Sequence, residues 1–70
     1  MRVDVITKDK SKYLFDGIEE LDIHNNSIFI RGPRIKAFKT EDVTILIVDG
    51  KEIINTLFLH RQNIHLMEEE

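Results

Sequence analysis

Residues 20–31 have the sequence ELDIHNNSIFIR, and this stretch decides the fold. Apolar and polar residues alternate on both sides of Asn25-Asn26, as in strands that bury one face. Asparagine tolerates the positive φ values that a two-residue hairpin turn requires. The stretch therefore predicts a hairpin with the cross-strand pairs Glu20–Arg31, Leu21–Ile30, Asp22–Phe29, Ile23–Ile28 and His24–Ser27.

A second turn signal, Asp9-Lys10-Ser11, lies upstream of this hairpin. Read as a three-residue loop, it predicts the pairs Thr7–Tyr13 and Val5–Phe15. The same register places Lys8 opposite Lys12 and Asp4 opposite Asp16, and like charges that face each other across a strand pair are unfavourable.

Downstream, Asp49-Gly50 between two β-branched runs is a strong hairpin signal. It predicts that Leu46 pairs with Ile53 and Ile45 with Ile54. Gly32-Pro33 interrupts the run between these hairpins, and proline cannot donate a hydrogen bond to a strand ladder. We expect a bend or a sheet edge at that point.

The composition also favours strands, since the chain has eleven isoleucines, four valines and four threonines but a single alanine, Ala37. Together these signals predict a mainly β fold, an antiparallel meander of about seven or eight short strands that forms a small barrel or an open curled sheet. Residues 1–67 are expected to form one small domain, followed by an acidic tail at 68–70.

An α+β fold with a C-terminal helix near residues 51–62 is the alternative. Asp49 and Glu52 have the spacing of a helix capping box, and apolar residues recur at helical spacing beyond them. A similarity between residues 38–46 and 59–67 favours strands instead, because both segments read as strand, polar corner, strand.

The net charge of −3 equals the charge of the three terminal glutamates, which leaves the rest of the chain neutral. A neutral body is not typical of general nucleic-acid binders. The chain has no cysteine and no run of ~18 apolar residues, so we expect no disulfide and no membrane span. These features, with heavy isoleucine and lysine use, predict a cytoplasmic protein of bacterial or phage origin.

One local excess of positive charge stands out, because no acidic residue falls between residues 31 and 39. Cations can bind a phosphate backbone, and an aromatic ring beside them can stack on a base. Opposing acids on the preceding strand can also neutralise such a segment, and the predicted register sets Glu20 against Arg31. The candidate nucleic-acid or partner contacts are Arg31, Arg34, Lys36, Phe38 and Lys39.

Catalytic and metal-binding patterns are weak by comparison. His60 and His65 flank a predicted corner, but a metal site needs three or four ligands and no carboxylate lies between them. Adjacent acids such as Glu19-Glu20 point to opposite faces of a strand, which is unsuitable for an acid–base pair. We expect no enzyme activity, no catalytic residue, no cofactor and no metal.

The segment Leu59 to Ile64 resembles the C-terminal part of carbon storage regulator proteins, which are small β dimers that bind RNA. The resemblance covers six residues, and the N-terminal strand that those proteins use to contact RNA has no counterpart in residues 1–8. No function is carried over from it. The main hypothesis is a non-enzymatic module that binds another protein or itself, as a homo-oligomer, through a sheet edge or face. The alternative is a small RNA- or DNA-binding β domain that uses residues 31–39.

Overall fold

The structure is a computed structural model that describes residues 1–55 and 63–68. The described residues form antiparallel strands and one short 3-10 turn, Thr40–Asp42. The predicted mainly β fold is confirmed. The strands are β1 (Val3–Thr7), β2 (Lys12–Phe15), β3 (Glu20–His24), β4 (Ser27–Arg31), β5 (Ile35–Lys39), β6 (Val43–Val48), β7 (Lys51–Asn55) and β8 (Ile64–Met67).

The strands form two four-stranded sheets, with the orders β2-β1-β6-β7 and β5-β4-β3-β8. Over the described ranges both sheets are open, so of the two predicted forms the open sheet is found and the closed barrel is not. Alternate residues of both sheets meet in one apolar core, as expected for half-buried strands. The core consists of Val3, Val5, Ile18, Leu21, Ile23, Ile28, Ile30, Val43 and Leu46.

The central hairpin has the predicted register at every pair. Asn25 and Asn26 both have positive φ values, of 50° and 61°. This is the backbone that matches the twist of the flanking strands in a two-residue turn. The bend expected at Gly32-Pro33 is also found, between β4 and β5.

The predicted register of the first hairpin is wrong by two residues. Val5 pairs with Tyr13 and Val3 with Phe15, and the loop lies one residue earlier, with Lys10 at a φ of 69°. The Asp9 carboxylate explains the shift, because it accepts hydrogen bonds from the Thr7 hydroxyl and the Ser11 backbone N–H. The new register also removes the like-charge pairs, since Asp4 now faces Leu14.

The predicted register of the third hairpin is correct at the turn and wrong beyond it. Val48 pairs with Lys51 and Ile47 with Glu52, but the register then shifts so that Leu46 pairs with Ile54. A bulge that adds Ile53 to β7 causes this shift, and Ile53 packs against the core. The alternative helix is wrong over residues 51–55, which are strand, and its remainder lies outside the described residues.

The ends of the described chain are tied to one corner of the sandwich. The Met1 amino group donates a 2.7 Å hydrogen bond to the Ile18 carbonyl oxygen and pairs with the Glu68 carboxylate. The Glu68 backbone N–H donates to the Glu19 carbonyl oxygen at 2.8 Å. The first residue of the predicted acidic tail is thus in contact with the domain, and the other two lie outside the described residues.

None of the helical segments described is long and apolar enough to cross a membrane.

Candidate functional site: a groove between two strand edges

Strands β2 and β5 are edge strands of different sheets, and they lie next to each other on one side of the sandwich. Aromatic side chains join them at one end. The Phe38 ring lies 5.4 Å from the Tyr13 ring and 6.1 Å from the Phe15 ring, both between centroids. These distances are in the range of favourable aromatic pairs. Within the described residues, each of the two strands has a hydrogen-bonded neighbour on one side only.

Beyond this aromatic contact the two edges enclose a groove of about 470 Å³ that is open to solvent. Apolar side chains make up most of its wall, and two of them are strongly exposed. Leu14 is 53% exposed and Ile35 is 70% exposed, the highest value among the exposed large apolar side chains of the described ranges. The groove is lined by Leu14, Phe15, Asp16, Ile18, Ile30, Pro33, Arg34, Ile35 and Lys36.

Two loops beside the groove approach each other closely. A Cβ atom at Gly32 would lie 3.0 Å from the Gly17 carbonyl oxygen and 3.2 Å from Ile18 Cδ1. Glycine is therefore needed at position 32 for this approach, whereas Gly17 is needed for its φ of 70°. The two loops bring Pro33 and Arg34, which follow Gly32, to the same cavity as Ile18.

Two cations and one acid line this groove, namely Arg34, Lys36 and Asp16. Lys36 pairs with the buried Ile30 and so belongs to the inward face of its edge strand. Among the residues described, neither Arg34 nor Lys36 takes part in an ion pair. The pKa of the Arg2 guanidinium is raised, first by its hydrogen bond to the Asp4 carboxylate and by the charge of that group. The charge of Asp16 makes a smaller contribution in the same direction. Two cations against one acid leave the groove wall with a net positive charge.

The five residues singled out from the sequence do not form one surface. Arg34 and Lys36 line the groove, whereas Phe38 contacts the Tyr13 and Phe15 rings and lines a different cavity, beside the first hairpin loop. Arg31 does not line the groove; it lies on the outer face of the sheet with its cross-strand partners Glu20 and Ile35, and of these three residues only Ile35 also borders the groove. Lys39 is also on that outer face, and it lines a separate cavity of about 350 Å³ beside the Asn25-Asn26 turn.

Arg31 is compensated by acids on the neighbouring strand. Its guanidinium lies 3.9 Å from both the Glu20 and the Asp22 carboxylates, and 6.0 Å from the Phe29 ring centroid. Exposed ion pairs of this kind contribute about 0–1 kcal/mol to stability. They nonetheless offset the local charge, so Arg31 does not add to a nucleic-acid surface.

The same acids meet His65 of β8, which is directly opposite Asp22. His65 Nε2 lies 2.9 Å from Glu20 Oε1 and 3.6 Å from Asp22 Oδ1. One ligand atom from each of the three residues falls within 4.8 Å of the others, which is a spacing that a divalent cation could use. Arg31 already supplies a positive charge to both carboxylates, so the contacts of Arg31 and His65 with Glu20 and Asp22 form a polar network on the surface.

Sequence reasoning missed Leu14, Ile35 and the Glu20–Asp22–His65 group. Leu14 and Ile35 are 21 positions apart in the chain and line the same groove only because two edge strands of different sheets converge. His60, which the sequence pairs with His65, lies outside the described residues. Only the alternation of β2 carried a usable signal, since it places Leu14 on the face opposite Tyr13 and Phe15.

Comparisons with protein families, with curated proteins and with solved structures found no match to this chain.

Proposed function

We propose that this protein is a non-catalytic interaction module that binds an extended segment of a partner protein in the groove between β2 and β5. The observation that carries the proposal is that two strand edges, neither paired on its outer side by any described residue, lie beside the exposed side chains of Leu14 and Ile35. An edge strand offers backbone donors and acceptors to an added strand, while pockets beside it receive alternate side chains.

The size and lining of the groove support this mode of binding. A volume of about 470 Å³ accommodates a few side chains, and its wall is mostly apolar. Burying one leucine-sized side chain contributes about 1.5–3 kcal/mol, so a segment that filled the groove and paired with β5 would bind with moderate affinity. A reversible complex, rather than a permanent one, is the expected outcome.

The charge of β5 favours a different protein over a second copy as the partner. Antiparallel pairing of β5 with another β5 would bring Lys36 and Lys39 of both chains onto neighbouring strands, with no acid in either strand. Lysines on an edge strand, and above all inward-pointing ones, discourage pairing between copies. Self-association remains an outcome of the test below. We also propose a cytoplasmic location in a bacterial or phage-infected cell, which the lack of cysteine supports.

Peptide selection tests the groove directly. Random linear peptides are selected on the wild-type protein, and their affinities are then measured for Leu14→Thr and Ile35→Thr, which remove apolar surface but keep β propensity. Met67→Thr is the matched control, because Met67 is 64% exposed on β8, the far edge of the same sheet as Ile35. We expect the groove variants to lose at least about tenfold in affinity, equivalent to ~1.4 kcal/mol, and the control to lose little.

The opposite results are equally clear. Selected peptides that bind all three variants as tightly as wild type, or a library that yields no binder, would contradict the proposed site. Light scattering on the peptide-free protein covers self-association. A dimer that Leu14→Thr or Ile35→Thr dissociates would assign the groove to a second copy instead.

A further inference from the structure

We infer that the groove selects acidic segments, in which a carboxylate accompanies the apolar side chain that enters the groove. This inference deepens the proposed function and rests on it. It follows from the position of Arg34 and Lys36 on the groove wall, beside apolar surface and without ion-pair partners among the described residues.

Lys36 lies on the core-facing side of β5. Its cross-strand partner is the fully buried Ile30, so Lys36 projects from the core-facing side of an edge strand. A segment added to β5 would place one of its own side chains next to Lys36 on that face. A carboxylate there would pair with the exposed Lys36 ammonium group, whereas an apolar or basic side chain would not.

Arg34 extends the same preference to the loop end of the groove. Arg34 directly follows Pro33 in the chain, and the Arg34 backbone carbonyl accepts a 3.1 Å hydrogen bond from the Gly32 N–H. This hydrogen bond and the Pro33 ring restrain the loop from which the side chain projects. A guanidinium presents a planar set of donors that matches a carboxylate in a two-point contact. The groove therefore offers two cations to a segment whose apolar residue contacts Leu14 and Ile35.

The first residue of this chain's acidic segment already has partners elsewhere on the domain. Leu66 packs against the core, and Glu68 is held by the Met1 amino group and the Glu19 carbonyl oxygen. The acids on the outer face, Glu20 and Asp22, are already opposite Arg31 and His65. Asp16 is the one acid of the described residues on the groove wall, so at least one of the two cations is left for a carboxylate of another molecule.

The test compares peptides selected on two proteins, the wild type and the Arg34→Glu/Lys36→Glu double variant. Lys10→Glu/Lys51→Glu is the matched control, since it makes the same change in net charge with two exposed lysines outside the groove. We expect wild-type peptides to be enriched in Asp and Glu beside an apolar residue. Their affinity should fall at least tenfold on the groove variant, change less than about threefold on the control, and weaken with added salt.

Each alternative result has a separate meaning. Peptides that depend on Leu14 and Ile35 but show no acidic enrichment, or bind the charge-reversed variant equally well, would overturn the acidic preference and leave the proposed docking site standing. Peptides that depend on none of these residues would overturn both. A fluorescent single-stranded DNA oligomer is measured in parallel, and tight binding that the Arg34→Glu/Lys36→Glu change abolishes would assign the two cations to nucleic acid.

Discussion

Single polar residues decide where the chain turns. Asp9 is the clearest case, because its carboxylate bonds to Thr7 and Ser11 and moves the first loop one residue from the position that turn composition predicts. Residue preferences indicate that Asp and Ser favour a turn. They do not specify which residue takes the left-handed conformation, and here that residue is Lys10.

The Asp9 contacts predict a measurable pH dependence. The Thr7 hydroxyl bond, followed by bonds from Ser11, lowers the pKa of Asp9 below its ordinary value of 3.8. Because the pKa of Asp9 is lower in the folded state, its carboxylate makes its full contribution to stability at pH values above the ordinary pKa. This contribution is lost as the pH falls through the folded-state pKa. We expect the carboxyl carbon NMR signal of Asp9 to titrate below 3.8.

Thr7→Val provides the control for this prediction. It removes the largest cause of the shift, so the titration midpoint of Asp9 should move back toward the ordinary value. A wild-type midpoint at or above that value would show that the loop contacts do not hold the carboxylate.

At the level of elements, the best predictions come from turns whose chemistry fits both flanking strands. The Asn25-Asn26 hairpin was predicted in full because its turn and its alternation specify the same register. The predicted register of the first hairpin is off by two residues. Its inward residues are nevertheless predicted correctly, since a shift of two preserves the face of every side chain. The Ile53 bulge in β7 had no signal in the sequence, because it serves packing against residues of distant strands.

The turn itself can be tested by changing Asn26, which has a φ of 61°. Asn26→Gly should raise the free energy of unfolding by roughly 0.5 kcal/mol, because glycine adopts positive φ without a Cβ penalty. Asn26→Ala should lower it by about 1 kcal/mol, since alanine lacks the local hydrogen bonding that helps asparagine there. Urea unfolding measures both, and the reverse order of stability would contradict the turn assignment.

At the level of the whole molecule, stability depends on one thin core shared by the two sheets. A chain of this size buries only roughly 60% of the surface that it exposes when unfolded. Leu21 is fully buried between β4 and β8, so Leu21→Ala should cost about 2–5 kcal/mol. That is a large fraction of the total for a small domain.

Urea denaturation of Leu21→Ala, with Met67→Ala as an exposed control on the adjacent strand, checks this expectation. The control should change stability by less than about 0.5 kcal/mol. Equal effects of the two substitutions would mean that the sheets do not pack as described.

Local chemistry was sufficient to predict the mainly β class, the central hairpin and the bend at Gly32-Pro33, because each depends on residues close together in the chain. It was also sufficient to name Arg34 and Lys36 as candidate contacts, but not to separate them from Arg31. That separation arises from strand pairing, which sends Lys36 inward and sets Arg31 against Glu20 and Asp22. The groove required the tertiary structure altogether, since it forms where β2 and β5, edges of two different sheets, converge. Such contacts depend on how the two sheets pack across the shared core, and no local pattern encodes that geometry.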